Sequence, residues 1–269
     1  MDGKRCGVAQ VGSPVGGPKP GCYRGHCARS AGDPWNADLR PGQWDGRTGP
    51  DARHGGPSRG GHVTATDLVP EMVATAQEQA QQRQITNMTC QQADAEALPF
   101  PAQTFDHVTC RLGVMFFPNV GQALREIHRV LKPGGRAAFV ALGPLEQHLW
   151  QWSIVRVLQQ YISLPPPEAG APHLYRFAQP GTLARALQDA GFRHVQEESQ
   201  AMPWPWPGPL EEFWTYRREL GPFIRQSIER LPLASQASVI QEVIASIGEY
   251  YDGQQVNFTA VIVIASGVR

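Results

Sequence analysis

The sequence lacks any excess of charge, since its 24 Lys and Arg residues balance its 24 Asp and Glu residues. No global electrostatic field therefore favours nucleic acid or an anionic membrane as a partner. The sequence also contains no run of 18 apolar residues, so we expect no membrane-spanning helix. Its amino terminus lacks the apolar core of a signal peptide, and we expect a cytoplasmic protein.

Cysteines are few, and their spacing does not form a paired framework. The five are Cys6, Cys22, Cys27, Cys90 and Cys110. Cys22 and Cys27, with His26 between them, could form half of a metal site, but no second Cys/His pair with finger-like spacing follows. We therefore expect free thiols and no bound metal.

Residues 1–60 lack the apolar periodicity of a strand or a helix, although they hold half of the chain's 28 glycines. A segment of this kind buries too little apolar area to offset the entropy lost on ordering. One hypothesis is therefore a disordered Gly/Pro/Arg-rich segment over 1–60, followed by a folded domain over 61–269.

The genetic code offers a second hypothesis for this segment, in which it is frame-shifted. Read one base later, the codons of the pair Trp35–Asn36 give GGA and those of Trp44–Asp45 give GGG, and both encode glycine. Continued to Arg53, the shifted codons are compatible with the peptide GTGEPALTLA, preceded by one such as GMRILDLAS. These peptides are typical of a strand, a glycine turn and a helix start. The pattern predicts a frame error upstream of residue 35, corrected near residues 57–61.

After Gly61 the segments alternate between strand-like and helix-like, which predicts a parallel sheet with helices on both faces. We expect strands at 62–66, 88–92, 106–111, 137–142, 193–198 and 256–265. We expect helices at 71–83, 122–131, 145–158 and 180–190. Nearly sixty residues separate the last two strands, too many for a hairpin loop, and predict an inserted helical cover over about 199–255.

Four motifs follow one another in the first half of this domain. They are Asp67 at a strand end, Asp94-Ala95 after the next strand, Phe105-Asp106 opening a third, and Leu131-Lys-Pro-Gly-Gly before a fourth. Together they resemble the class I S-adenosylmethionine-dependent methyltransferases, and most nearly the ubiquinone/menaquinone C-methyltransferase-like group (methyltransferase type 11/25). A nicotinamide-dependent dehydrogenase would share the strand-end acid but not the other motifs.

The resemblance covers residues 61–142 well and the last two strands loosely. It implies an α/β fold with a Rossmann-like, mostly parallel methyltransferase sheet. In that fold a strand and a glycine-rich turn precede the motif at Asp67, and residues 1–60 show neither. We therefore expect the first strand to be missing and the affinity for the cofactor to be severely reduced.

The resemblance also implies a site for S-adenosylmethionine. Asp67 would accept hydrogen bonds from the ribose hydroxyls, and Leu68 would pack against the adenine. Asp94 would accept from the adenine amino group, and the Ala95 N–H would meet a ring nitrogen. Arg111 would lie near the amino-acid end of the cofactor. Structural roles remain open for these residues: the acids could cap helical turns, Leu68 could be core, and Arg111 could form a surface salt bridge.

The activity that the resemblance implies is methyl transfer to a small, apolar or aromatic molecule. The catalytic residue is unknown, and His148 and His173 are candidates for a base. Five aromatic side chains could line a substrate pocket or simply pack a lid: Tyr175, Trp204, Trp206, Trp214 and Tyr216. The alternative function is that of a non-catalytic methyltransferase remnant that acts through protein contacts. The sequence leaves the oligomeric state open.

Overall fold

The strands form one seven-stranded sheet in the computed structural model, which describes residues 7–11, 61–168 and 170–269. In chain order they are β1 (Gly7–Val11), β2 (His62–Asp67), β3 (Met88–Gln92), β4 (Phe105–Arg111), β5 (Leu131–Leu142), β6 (Arg193–Trp206) and β7 (Val256–Val268). Their spatial order is β3-β2-β1-β4-β5-β7-β6. All pairings from β3 to β5 are parallel, whereas β7 runs antiparallel to both β5 and β6.

Seven helices connect or cover these strands in the described part of the chain. They are α1 (Pro70–Gln82), α2 (Val120–Val130), α3 (Leu149–Leu158), α4 (Thr182–Asp189), α5 (Leu210–Leu220), α6 (Pro222–Glu229) and α7 (Leu233–Gly248). Crossovers between parallel strands are right-handed, and those through α1 and α2 move in opposite directions across the sheet. The two helices therefore lie on opposite faces, as predicted. No helix among the described residues is long and apolar enough to cross a bilayer.

The local sequence of α2 determines where the helix begins and which of its faces is buried. The Asn119 side chain accepts a hydrogen bond from the Gln122 N–H at 3.0 Å, which caps the helix start. Leu124, Ile127 and Val130 recur at helical spacing and are fully buried. The apolar face of α2 thus anchors it to the core that it shares with β5 and α4.

The Lys-Pro-Gly-Gly segment forms the predicted turn, but it lies inside β5, which begins at Leu131. Gly134 has a φ of 77°, a conformation that disfavours side chains. Lys132 forms an ion pair with Asp106 at 2.9 Å, and a Cβ on Gly135 would lie only 2.9 Å from the Asp106 carbonyl oxygen. The turn therefore needs glycine in order to bring β5 alongside β4.

Strand β1 corrects the expectation that the first strand is missing. It pairs with β2, where Val11 lies opposite Thr66, and with β4, where Gln10 lies opposite Thr109. It thus fills the central position of the sheet. Its five-residue pattern, Gly-Val-Ala-Gln-Val, is too short to stand out among the surrounding glycines and prolines, and for this reason the sequence did not reveal it.

The other predictions made for the amino-terminal segment fall outside the described residues. These are the disordered and frame-shifted alternatives for residues 1–60, of which only 7–11 are described, and the possible metal ligands Cys22, His26 and Cys27. They remain predictions, as does the division of the chain at residue 61.

The predicted cover is wrong at its amino end. Residues 199–206 belong to β6, and the helical cover consists of α5–α7, from Leu210 to Gly248. The strand pairs continuously with β7 from Gln196 to Trp206, despite Pro203 and Pro205. Proline lacks a backbone donor and is tolerated in sheets mainly on edge strands, and β6 is an edge strand. The Pro-Trp-Pro-Trp segment, which was predicted to belong to the cover, therefore forms part of an edge strand.

Candidate functional site

The carboxyl ends of β2, β3 and β4 lie at one edge of the sheet, beside the point where the strand order reverses between β1 and β4. Ligands of open α/β sheets bind in the crevice outside such a switch point. We call the side chains there, Asp67, Leu68, Asp94, Ala95 and Arg111, the cofactor edge. The structure thus brings all five predicted cofactor residues to the carboxyl ends of neighbouring strands.

Asp67 ends β2 and lies opposite Gln92 of β3. Its Oδ1 accepts a hydrogen bond from the Val69 N–H at 2.9 Å, and burial raises the pKa of its carboxyl group. Val69, and not Asp67, occupies the N-cap position of α1. A carboxylate offers about four acceptor sites, so Asp67 keeps capacity for further donors.

Leu68 is an exposed large hydrophobic residue, with 39% of its surface accessible, which argues against the core role considered from the sequence. Asp94 is exposed, and its Oδ1 accepts from the Glu96 N–H at 2.9 Å, as in a capped turn. The neighbouring Ala95 is buried. An apolar surface and an acid with remaining acceptor sites therefore lie at adjoining strand ends.

Arg111 ends β4 opposite Val140, with its side chain exposed. The turn that follows is tight, with Leu112 at a φ of 56° and a 3₁₀ turn at Val114–Phe116. The buried Cys110 thiol accepts from the N–H groups of Gly113 and Val114, and burial raises its pKa to about 12. This thiol remains protonated and helps to fix the turn beside Arg111.

A second group of side chains is largely buried beyond the carboxyl end of β5. We call His148, Trp150, Gln151, Tyr175 and Arg217 the Arg217 cluster. The Arg217 guanidinium lies over the Trp150 ring, 4.4 Å from its centroid, and its Nη2 donates to Gln151 Oε1. The His148 ring lies 5.4 Å from that of Tyr175. Arg217 comes from the helical cover, so the cluster joins the cover to the sheet.

One contact joins the loop of the Arg217 cluster to the turn after β4, and a second joins the end of β5 to β7. Arg176, next to Tyr175, donates from Nη1 to the Phe117 carbonyl at 2.6 Å, on the turn that follows β4. Gly143, just after β5, donates to the Val261 carbonyl at 2.7 Å, and a Cβ there would approach that oxygen to 2.9 Å. The close approach requires glycine and brings His148 over the end of the sheet.

The two candidate bases have different surroundings. His148 has no accessible surface, and burial lowers its pKa to about 4, although the nearby carbonyls of Gly143 and Val261 act in the opposite direction. His173 is partly exposed, and its Nδ1 accepts from the Tyr175 N–H at 3.2 Å. His148 is therefore neutral at pH 7 and belongs to the Arg217 cluster, whereas His173 supports the adjoining loop.

Three of the five predicted pocket aromatics line one small cavity beneath the cover, namely Trp204, Trp206 and Tyr216. Tyr175 belongs to the Arg217 cluster, and Trp214 is buried against the hydrophobic core. Sequence reasoning missed Arg217, Trp150 and Gln151. The Tyr-Arg-Arg-Glu run around Arg217 resembles an exposed helix face, and no signal distinguishes Arg217 from Arg218.

No group of three or more His, Cys, Asp or Glu residues that could hold a metal ion occurs in the parts of the chain that the structure describes. The chemistry available at the carboxyl edge therefore comes from carboxylates, guanidinium groups, aromatic rings and a neutral imidazole. These groups can bind, orient and enclose an organic ligand.

Residues 48–139 match the family model of the methyltransferase domain. The matched segment contains β2 to β4 and most of β5, and with them all five residues of the cofactor edge. This part of the chain is therefore similar in sequence to a methyltransferase domain.

Similar curated proteins are methyltransferases of quinone biosynthesis. The ubiquinone/menaquinone biosynthesis C-methyltransferase UbiE of Bartonella quintana is 31% identical over 148 residues, which is 50% of this chain and 55% of that protein. The demethylmenaquinone methyltransferase of Listeria welshimeri is 32% identical over 149 residues, which is 51% of this chain and 61% of that protein. The chain thus spans little more than half the length of these relatives.

Solved structures with a similar arrangement include the YcgJ protein of Bacillus subtilis, at 22% identity and a TM-score of 0.46 over 77% of this chain and 82% of that one. A methyltransferase from Bacillus halodurans has 19% identity and a TM-score of 0.48 over the same shares of the two chains.

Proposed function

We propose that this chain binds S-adenosylmethionine at the cofactor edge and transfers its methyl group to a small aromatic molecule held beneath the helical cover. The observation that carries the proposal is the pairing of Asp67, which has remaining acceptor sites, with the exposed Leu68 at the switch point. Carboxylates at this position of α/β sheets accept hydrogen bonds from ribose hydroxyls.

The described residues fit this cofactor. Asp67 would hold the ribose, Leu68 would cover one face of the adenine, and Asp94 with the Ala95 N–H would meet its polar edge. Arg111 would lie near the amino-acid portion. The cofactor supplies an activated methyl group when bound, so the protein mainly has to position the acceptor and exclude water.

The acceptor would occupy the space between the turn after β4 and the cover. The Arg176 contact with Phe117 supports this placement, because it joins the loop beside Tyr175 to the turn after β4. His148 is neutral at pH 7 and so could accept a proton from an acceptor hydroxyl. Because the similar curated proteins are named for quinones, a quinone-type ring is the first acceptor to test.

Isothermal titration of the purified chain with S-adenosylhomocysteine tests the cofactor half of this proposal. We expect binding that Asp67→Asn weakens and that Glu71→Gln, an exposed change on α1, leaves unaltered. The titration should be repeated on a chain in which residues 35–60 are replaced by their shifted-frame reading. Binding by the replaced chain alone would identify this chain as an impaired remnant. Absence of binding by both would refute cofactor use.

Methyl transfer itself is tested by mass spectrometry of reactions containing S-adenosylmethionine and reduced quinone-type rings. We expect a product heavier by one methylene unit, together with demethylated cofactor. A chain that binds S-adenosylhomocysteine but yields no methylated product from any aromatic acceptor would contradict the proposed substrate class.

A further inference from the structure

The guanidinium of Arg217 has no acidic partner among the residues that the structure describes. It is positioned by Trp150 beneath it and by Gln151 as a neutral acceptor. The ion pairs between described residues are Arg129–Glu126, Lys132–Asp106 and Arg156–Glu249, so no described carboxylate lies within ion-pair distance of Arg217. A charge withdrawn from water without a counter-charge is costly, and such a charge commonly serves a ligand.

Several side-chain polar atoms of this cluster, the ring nitrogens of His148 among them, are shielded from water and have no hydrogen-bond partner among the described residues. Two of these atoms are donors that face no acceptor. They are the Nε of Arg217 and the hydroxyl of Tyr175. Arginine can only donate, and a protonated tyrosine needs an acceptor for its proton. Buried polar groups are nearly always paired with protein atoms, ordered water or a ligand, so these two donors are available to an acceptor atom of a ligand.

The charges around the cluster favour an anion as that acceptor. Burial lowers the pKa of Arg217 to about 10, so the guanidinium remains charged at pH 7. Burial also raises the pKa of Tyr175, with Glu146 acting in the same direction, so its hydroxyl remains a donor. His148 is neutral at pH 7. Arg217 is therefore the single positive charge of the cluster.

The space beside Arg217 suits one small group. The cavity that it lines with Trp150, Trp204, Trp206 and Tyr216 has a volume of about 10 Å³. A recess of this size accepts a single oxygen and not a ring. The ring that carries the oxygen would lie outside this recess.

We propose that the Arg217 cluster binds an anionic oxygen of the aromatic acceptor, with the Arg217 guanidinium and the Tyr175 hydroxyl as its donors. The methyl-accepting molecule is thereby assigned to the aromatic compounds that bear a phenolate or carboxylate group. This inference rests on the proposed function, which identifies the site as the one that binds the methyl-accepting molecule. Arg217 then determines specificity and orients the ring without taking part in proton transfer.

Titration of the full chain with three probes tests the inference. They are 1-naphthoate (a carboxylate), 1-naphthamide (its size-matched neutral counterpart) and 2,4-dinitro-1-naphtholate (a larger phenolate). We expect at least one anion to bind tighter than the amide by about tenfold or more, as for hydrogen bonds to charged groups. Preference for one anion identifies the kind of oxygen. Equal affinity for all three would overturn the inference and leave an ordered water as the partner of the two donors.

Variants test which side chains cause the preference for an anionic probe over the neutral amide. Arg217→Met should abolish it, Tyr175→Phe should reduce it, and Arg218→Met, an exposed neighbour on α5, should preserve it. Arg217→Lys retains the charge but loses the planar fork, so it should retain part of the preference. An unchanged preference in Arg217→Met would contradict the assignment. Should that variant fail to fold by circular dichroism, the three-probe comparison on the unaltered chain and the Tyr175→Phe result decide the question.

Titration with S-adenosylhomocysteine on the same samples separates this inference from the proposed function. Anion preference without cofactor binding would support the anion site and refute methyl transfer. Cofactor binding without anion preference would support methyl transfer and refute the anion site.

Discussion

The cofactor edge and the Arg217 cluster differ in how the chain builds them. The cofactor edge consists mainly of residues at the ends of parallel strands, and Leu68, Asp94 and Arg111 there are exposed. The Arg217 cluster draws on the segment after β5, the loop before α4 and the helical cover, and His148 and Trp150 are buried in it. The first site therefore depends on strand register, whereas the second depends on tertiary packing.

This difference implies that changes at the cofactor edge should alter binding with little effect on folding. Changes in the Arg217 cluster should alter both ligand binding and the stability of the fold. Four measurements of the free energy of unfolding or of binding test this difference between the two sites.

The largest effect is expected from Trp150→Ala. Trp150 is 3% exposed, supports the Arg217 guanidinium and packs against the His148 ring at 6.0 Å. Truncation of a buried tryptophan costs about 3–5 kcal/mol, because it leaves a cavity. Urea unfolding followed by circular dichroism measures the loss. A loss below about 1 kcal/mol would show that the cluster is not part of the packed core.

A smaller loss in the free energy of unfolding is expected when the pH is lowered, because of His148. Its folded pKa of about 4 lies below the ordinary value of 6.5, so the unfolded chain takes up the proton first. Stability is therefore complete above pH 6.5 and falls as the pH decreases towards 4, by about 2 kcal/mol between pH 7 and pH 5.

Urea titrations at the two pH values measure this loss in the unaltered chain and in His148→Gln. The glutamine variant should lose less between pH 7 and pH 5, whatever its stability at pH 7. His107, His128 and His173 also have lowered pKa values and contribute equally to both chains. Identical losses in the two chains would show that His148 titrates normally.

Asp67→Asn should weaken S-adenosylhomocysteine binding by about tenfold, because an amide accepts fewer hydrogen bonds than a carboxylate does. Its free energy of unfolding should not fall, since burial already disfavours the charged carboxyl group and asparagine retains the acceptor for the Val69 N–H. Calorimetry and urea unfolding of the same preparation check both parts. Destabilisation with unchanged affinity would assign Asp67 a purely structural role.

The smallest effect on stability is expected from Leu68→Ala. Because the side chain is exposed, the free energy of unfolding should change by no more than about 0.5 kcal/mol. The affinity for S-adenosylhomocysteine should fall by a few-fold, because the apolar contact with adenine is lost. Met72→Ala, at a similarly exposed position on α1, is the matched control and should change neither quantity.

Most of the sheet after residue 61 could be predicted from the sequence, because strand periodicity and turn residues are local signals. The strand at Met88–Gln92 was predicted with its observed bounds, and α1 and α2 to within two residues at each end. Strand β1 was missed because five residues carry little periodicity, and the length of β6 because tertiary pairing with β7 overrides its two prolines.

The cofactor edge could likewise be predicted, since parallel strands bring their carboxyl ends to one edge whatever lies between them. The Arg217 cluster could not. Gln151 and Arg217 are 66 positions apart, and only the packing of the cover brings them into contact. Arg217 and Arg218 look alike in sequence, and the orientation of α5 alone determines which of them is withdrawn from water.

The prolines of β6 have a consequence for association. Pro203 and Pro205 leave two positions of this edge strand without a backbone donor. An edge of this kind is a poor template for the strand of another molecule, and natural proteins use proline to guard edges against aggregation. Association of copies of this chain by continuation of the sheet is thereby disfavoured at the β6 edge.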